Sequence, residues 1–397
     1  MIDASAHVPM ARAGDEAAEV DAEVRTAFDQ ILGRGVFRWG PEAAALEQEL
    51  GQCLQAPHVI AVSSGGVAIT IALKALGVGP GDDVVMPPNV DVSISAPVTH
   101  AGARIVWCDV DEATLTMDAD LLDRTITPST RAVLVVHLFG NPADMNSLCA
   151  VARAHDVVIL EDASHGPGAS WMDRPCGTMG RLGILSCSSG KPLGCAGSAG
   201  VILTADPLLA QRARVLANYG LDPSDLGAIH RGVRGARFRC VAEGFNASLD
   251  EWQSAILRIK LRRLPEWIRR RREQAEIYGE AFAHHERVRP QRSHRCAQPV
   301  LRHFAIRVAD RDWMAEQLSR HGIASGIGYA PPLHMQAPYR GAGTGRTRCP
   351  RTECVTDELL TLPINPFLTR DEVRAVSDAV VDLSQRESIG GRHRGCQ

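Results

Sequence analysis

Short apolar runs alternate with apolar positions at helical spacing through the first two thirds of the chain. The runs predict strands at His58–Val62, Asp83–Met86, Arg104–Cys108, Ala132–His137, Val157–Glu161, Gly183–Ser186 and Gly200–Thr204. Between several of them, helical spacing predicts helices over Val67–Leu76, Val92–Ala101, Met145–His155 and Pro207–Asn218. Strand, helix, strand in repetition predicts an α/β fold with a mainly parallel central sheet flanked by helices. Near residue 250 the pattern changes. A helical pattern over Asp250–Arg263 is interrupted at Pro265 and resumes over Glu266–Ala283. A strand-like His303–Val308, a helix at Trp313–His321, a Pro/Gly-rich loop at Gly326–Gly345 and a last helix at Arg370–Gln385 follow. Two domains are expected: a large ligand-binding domain over 1–250 and a smaller α/β domain over 251–397, frayed from about 387.

Parallel sheets of this kind take ligands at the carboxyl ends of their strands. Polar residues follow several predicted strand ends: Ser63 and Ser64, His137, Asp162 and Ser186. Ser63-Ser64-Gly65-Gly66 joins a strand directly to a helical pattern. Free amides at a helix start, small residues and hydroxyls suit a phosphate, although any tight strand-to-helix turn has this composition. No Walker lysine follows, and Gly194–Gly200 has the spacing G-x-x-G-x-x-G, which argues against nucleoside-triphosphate and nicotinamide loops. In VVILEDASHGPGA a buried strand ends at Glu161-Asp162, where a carboxylate either caps the next segment or meets a ligand.

Composition sharpens one point. Among 43 basic residues only Lys74, Lys191 and Lys260 are lysines. Lys74 and Lys260 fall in amphipathic helical patterns, whereas Lys191 lies in the small-residue stretch SCSSGKPLGCAGSAG. Arginine supplies charge but no nucleophilic amine; lysine supplies both. A phosphate cradle, then a carboxylate, then a lysine meets the demands of pyridoxal 5'-phosphate (PLP). The first anchors it, the second keeps the ring nitrogen protonated, and the third forms a Schiff base.

The remaining features exclude other classes. A net charge of −3 gives no pull towards nucleic acid or an anionic membrane. No apolar run approaches the roughly 18 residues of a membrane span, and the first residues lack a signal-peptide core. Eleven scattered cysteines without a C-x-x-C pair suit reduced thiols, so a cytoplasmic enzyme is expected. His284, His285, His294, Cys296 and His303 lack metal-ligand spacing, and no metal is expected. Arg262, Arg263 and Arg269–Arg272 are expected on a solvated helix face, with contact to a phosphorylated substrate as the alternative.

Ordered blocks along most of the chain resemble the sugar aminotransferases of the DegT/DnrJ/EryC1/StrS family, PLP enzymes of fold type I. They include GVFRWGPEAAALEQEL, SSGGVAITIALKALGVGPGDDVVMP, HLFGNPADM, EDASHGPGA, SCSSGKPLGCAGSAGVILT, EGFNASLDEWQSAIL, GIASGIGYAPPLH and LPINPFLTRDEV. The resemblance implies that Lys191 forms the Schiff base and moves protons, that Asp162 pairs with the pyridine nitrogen, and that His165 lies near the cofactor's 3-hydroxyl. It implies phosphate contacts from Ser64, Gly65, Gly66 and Ser186. It further implies that Asn246 reaches a neighbour's phosphate across a homodimer interface. Tyr329 and His334 flank the loop that lines the acceptor pocket in relatives. The implied reaction moves an amino group from an amino acid, glutamate or glutamine, to a keto-sugar, nucleotide-linked keto-sugar or keto-cyclitol in antibiotic biosynthesis.

Several positions depart from the family pattern. Gly66 replaces a threonine, Asp91 falls where an aromatic stacks on the cofactor ring, Ser248 replaces an arginine and Gly328 a histidine. Gly197-Ser198-Ala199-Gly200 is one residue longer than its counterpart. These departures keep two alternatives open: a PLP-dependent lyase or dehydratase-type enzyme, and a catalytically silent binding or regulatory subunit.

Overall fold

The apolar runs become seven strands of one sheet. They are β1 (His58–Val62), β2 (Asp83–Met86), β3 (Arg104–Trp107), β4 (Thr130–Val136), β5 (Val158–Asp162), β6 (Leu182–Ser186) and β7 (Gly200–Thr204), in the order β1-β7-β6-β5-β4-β2-β3. The computed structural model describes residues 7–225, 238–340 and 348–386, so the tail expected to fray lies outside the described residues. All neighbouring pairs are parallel except those of β7, which runs antiparallel to both β6 and β1. The link from β6 to β7 contains no helix, and such a short return can only join antiparallel strands. Lys191 lies in that return.

Both faces of the sheet are covered, which explains why its strands are apolar runs rather than alternating ones. Side chains still alternate by face. Leu134 and Val136 pack with α3 (Gly65–Ala75) and α4 (Val92–His100), whereas Val133 and Val135 face Leu148 of α6 (Met145–Ala154). A second region has its own core. Strands β8 (Phe304–Arg307) and β9 (Leu359–Leu362) pair antiparallel beneath α9 (Leu264–Phe282), α10 (Arg311–Arg320) and α12 (Arg370–Gln385). Tyr278, Phe282, Ile306, Leu318, Leu360 and Val376 fill it, and Val8 reaches it by bridging to Ile323. Pro265 lies in the first turn of α9, where its missing N–H costs nothing.

Helices α1 (Ala13–Arg34) and α2 (Pro41–Leu54) escape the sequence reading, as do α5 (Ala119–Thr125), α11 (Pro350–Glu358) and β9. Only Val20 and Ile31 of α1 are buried, so its apolar periodicity is faint. Polar contacts to α8 (Glu251–Leu261) and α9 hold it instead: Lys260 to Glu16 at 2.6 Å, Arg262 and Arg263 to Glu23, and Trp267 to Glu19 at 3.3 Å. The arginine run on α9 is only partly a solvated face. Arg269 pairs with Glu266 and Glu273, but Arg271 donates to the Ile364 carbonyl at 2.7 Å and Arg272 to that of Pro299 at 2.9 Å. Among the described residues nine cysteines are free thiols, whereas Cys354 is disulfide-bonded, so the expectation of uniformly reduced thiols does not hold. No described helix is long and apolar enough to cross a membrane.

One carboxylate fixes how α2 meets α8. The N-cap residue of α2, Gly40, has no capping side chain of its own. Buried Glu251 serves instead, accepting from the backbone N–H of Gly40 at 3.1 Å, Glu42 at 2.9 Å and Ala43 at 3.1 Å. Replacing Glu251→Ala leaves those donors without an acceptor. The unfolding free energy in urea is expected to fall by about 2–4 kcal/mol.

Candidate active site

Two adjacent strand ends bring the key residues together. Asp162 closes β5 and Ser186 closes β6, with Asp162 in register with Ile184. Because successive strand residues face opposite ways, Glu161 and Asp162 have different surroundings. Glu161 is fully enclosed and accepts from His137 Nε2 at 3.0 Å and from the backbone of Gly177, Met179 and Gly180. It staples the turn before β6. Asp162, also buried, uses only Oδ1 on the Ser164 N–H at 2.8 Å. Lys191, half-buried beyond β6, has an amine lowered from 10.5 to about 8, first by burial and then by Arg302, against the opposing charges of Asp162 and Asp91.

At the start of α3, the Ser64 hydroxyl accepts from the Val67 N–H at 3.2 Å. Gly65 is packed so closely that an added Cβ would lie 2.5 Å from Ser186 Cβ. At Gly66 the nearest atoms would be Ser93 O at 3.4 Å and Pro97 Cγ at 3.7 Å, so a side chain fits there. The Ser186 hydroxyl lies 3.2 Å from that of Ser188. Amides at a helix start with two hydroxyls alongside make an anion cradle.

Asn246 is exposed on its own chain, on a segment that pairs with Asn218 and with the end of β1. The sequence reading leaves this place without a guanidinium because position 248 is serine. The structure supplies one from elsewhere. Arg38 donates to Asn246 Oδ1 at 2.6 Å and to Ser248 Oγ at 2.5 Å, and lies over the Trp39 ring at 4.9 Å.

On the other side of Asp162, His165 Nδ1 accepts from the Phe139 N–H at 3.1 Å. Burial, then Lys191, Arg302 and His303, hold this imidazole well below its usual pKa. It is therefore neutral, and its free proton is assigned to Nε2 from that hydrogen bond. The Phe139 ring lies nearly parallel to His165 (6.3 Å, 8°) and Tyr329 (5.7 Å, 21°), with His303 edge-on at 5.7 Å. Phe139 and Tyr329 both have left-handed backbone, φ 59° and 58°, a strain found at functional sites. Gly328 leaves room for Phe139, whose ring end would lie 3.2 Å from a Cβ there.

Other expected residues sit differently. Asp91 is exposed and caps α4 through the Ser93 N–H at 2.8 Å, within electrostatic reach of Lys191 but without ring contact. His334 is buried, with Nε2 3.0 Å from Glu353 Oε1, its ring 6.5 Å from that of Trp107, and its Nδ1 without a hydrogen-bond partner among the described residues. The sequence-adjacent His/Cys group is dispersed. His285 bonds Ser384 at 3.2 Å, His294 packs on Trp171, and His303 joins the site with its pKa down to about 3 through burial and neighbouring cations. Among the described residues no His/Cys/Asp/Glu cluster could hold a metal ion. Arg38, Phe139 and Arg302 escape the sequence reading; the one available signal for Arg302 is a charge set directly before a buried apolar strand.

The arrangement offers a nucleophilic amine, a fixed carboxylate and an anion cradle at one sheet edge. A family model described as the DegT/DnrJ/EryC1/StrS aminotransferase family matches residues 18–381. The chain is 34% identical over 368 residues to the dTDP-3-amino-3,4,6-trideoxy-alpha-D-glucose transaminase of Streptomyces venezuelae, covering 93% of this chain and 94% of that one. It is 34% identical over 353 residues to the erythromycin biosynthesis sensory transduction protein EryC1 of Saccharopolyspora erythraea, covering 89% and 93%. The crystal structure of S. venezuelae DesV in complex with a ketimine intermediate matches with a TM-score of 0.89 at 34% identity, over 97% of this chain and 100% of that one. The chain belongs to the DegT/DnrJ/EryC1/StrS aminotransferase family, and the enzyme is an aminotransferase.

Proposed function

We propose that this aminotransferase uses PLP to carry an amino group from an amino acid, glutamate or glutamine, to a keto-sugar, a nucleotide-linked keto-sugar or a keto-cyclitol. The names of its relatives support a sugar acceptor and a setting in antibiotic biosynthesis. The observation that carries the reading is Lys191: a half-buried amine lowered to about 8, at the sheet edge that also bears Asp162.

The residues fit the cofactor. A side chain at Gly65 would collide with Ser186, so backbone amides and the Ser186 hydroxyl line the place a phosphate would take. When bound, PLP supplies an electron sink for negative charge at the substrate carbon. Asp162, its orientation set by the Ser164 N–H, holds a proton on the ring nitrogen. Lys191 attacks as a neutral amine and then passes protons at the substrate carbon. His165 cannot shuttle protons near neutral pH, because its Nδ1 is occupied as an acceptor; it donates from Nε2 to the cofactor's 3-hydroxyl. Ser64 and Gly66 complete the cradle, Tyr329 walls the acceptor side, and Asp91 attracts a cationic amine where an aromatic ring would stack. Asn246 and Arg38 act on a second subunit of a homodimer. Exposed Leu32, Val36, Phe37 and Tyr219 nearby support such a covering, and the Arg38 charge is bonded only to neutral oxygens.

Four tests follow from this reading. With a pKa of about 8, roughly a tenth of the apo Lys191 amine is neutral at pH 7, against about one part in three thousand at 10.5. The rate of PLP capture should therefore rise about tenfold per pH unit and level off above about 8. Borohydride should fix the cofactor to the Lys191 peptide and to nothing in Lys191→Ala; an unlabelled wild-type peptide would overturn the reading. At the cradle, Gly65→Ala should weaken PLP binding by about tenfold or more through its clash with Ser186. Gly66→Ser should strengthen it by about fivefold through a new hydroxyl contact, both read by fluorescence titration. Finally, Arg38→Ala should weaken PLP binding about tenfold, and adding Ser248→Arg in that background should restore most of it.

A further inference from the structure

A second cation besides Lys191 is confined at this site. Arg302 directly precedes β8, its N–H donating to the Phe139 carbonyl at 2.8 Å and its own carbonyl receiving Arg271 at 3.5 Å. Its Nε is shut off from solvent with no hydrogen-bond partner. The other enclosed arginines of this region are satisfied. Arg307 pairs with Glu358 and Glu112, Arg311 with Asp312 and two carbonyls, and Arg271 with the Ile364 carbonyl. Asp91 and Asp162 influence Arg302 electrostatically, but neither is hydrogen-bonded or ion-paired to it; each accepts instead from a backbone N–H, of Ser93 and Ser164. An enclosed guanidinium without its anion is costly, and the cost is recovered when an anion arrives with it.

We propose that Arg302 binds the α-carboxylate of the amino donor through a forked pair of hydrogen bonds. The inference rests on the aminotransferase reading above. Guanidinium geometry matches a carboxylate at both oxygens. Position selects which carboxylate. Arg302 is tied by its N–H to the carbonyl of Phe139, whose own N–H is held by His165, three residues after Asp162, and its charge acts on the Lys191 amine. An α-carboxylate is one bond from the carbon at which Lys191 moves a proton, so its receptor must lie that close. The phosphates of a nucleotide-linked sugar lie several bonds from its ketone, and on the proposed reading the cofactor's phosphate is held by the cradle at the start of α3. Phe139, Tyr329 and neutral His303 wall this corner with rings, which strengthens an ion pair formed there.

The test compares an amino acid with the same molecule lacking its carboxylate. PLP-loaded enzyme is mixed with L-alanine, L-glutamate or ethylamine, and conversion of the cofactor to its pyridoxamine form is followed by absorbance as a second-order rate constant. In Arg302→Met the constants for both amino acids should fall about tenfold or more, while that for ethylamine changes less than about threefold. A purely structural role would lower all three together, and an unchanged alanine-to-ethylamine ratio overturns the proposal. If Arg302→Met does not hold PLP, the ratio is read in Arg302→Lys, which keeps the charge but not the fork. There too a fall supports the assignment and constancy overturns it. Loss of inhibition by inorganic phosphate with the alanine constant unmoved overturns it in favour of an acceptor phosphate. Wild-type enzyme that binds PLP but is converted by no amino donor sinks the proposed reaction, and this assignment with it.

Discussion

The site depends on a single confinement: the short return from β6 to β7 holds the Lys191 amine partly out of water, under the influence of the Arg302 cation and the Asp162 and Asp91 carboxylates. Burial and Arg302 push the amine towards its neutral form, while Asp162 and Asp91 pull the other way, leaving it near 8. A more exposed lysine would stay charged and unreactive at neutral pH; a lysine in contact with a carboxylate would do the same for a different reason. Glycine permits close backbone approach at both strands that the return joins. A side chain at Gly183 of β6 would strike the Gly177 carbonyl, and one at Gly200 of β7 the Ser64 carbonyl that precedes the cradle. Lysine, cradle and sheet are thus coupled through backbone contacts.

The same economy governs the end of β5. Consecutive carboxylates there have opposite duties because a strand alternates its faces. Glu161, with the His137 imidazole and three backbone N–H groups around it, fixes the loop that delivers β6. Asp162 is left with an oxygen free of such bonds at the sheet edge.

Strand positions were legible because enclosed strands need continuous apolar runs, and every expected strand of the large sheet lies within about two residues of the observed one. Lys191 and Asp162 were legible because chain order on a parallel sheet fixes which strand ends meet. Helix α1 was not, since ion pairs to α8 and α9 replace the apolar stripe that would have announced it. Arg38 and Arg302 were hidden for another reason. In a chain whose basic residues are nearly all arginine, one guanidinium carries no mark in the sequence; only its surroundings distinguish it. At His334 the surroundings were equally hidden: its Nε2 lies against Glu353, while its buried Nδ1 has no hydrogen-bond partner among the described residues.

The departures from the family pattern make physical sense as a redistribution of charge. A guanidinium absent at Ser248 is present 2.5 Å away as that of Arg38, supplied from the loop before α2. An aromatic surface absent at Asp91 has no replacement there, but Phe139 and Tyr329 form one on the far side of His165. Around Lys191 the charges that result are an exposed carboxylate, Asp91, and a cation, Arg302, whose Nε is buried. An amino acid is a zwitterion, with an ammonium and a carboxylate on one carbon. On the proposed reading it settles with its ammonium towards Asp91 and its carboxylate on Arg302, so each of its charges meets the opposite one. A keto-sugar carries no charge at its reacting carbon and gains from neither contact, which lets one cleft admit two chemically different substrates in turn.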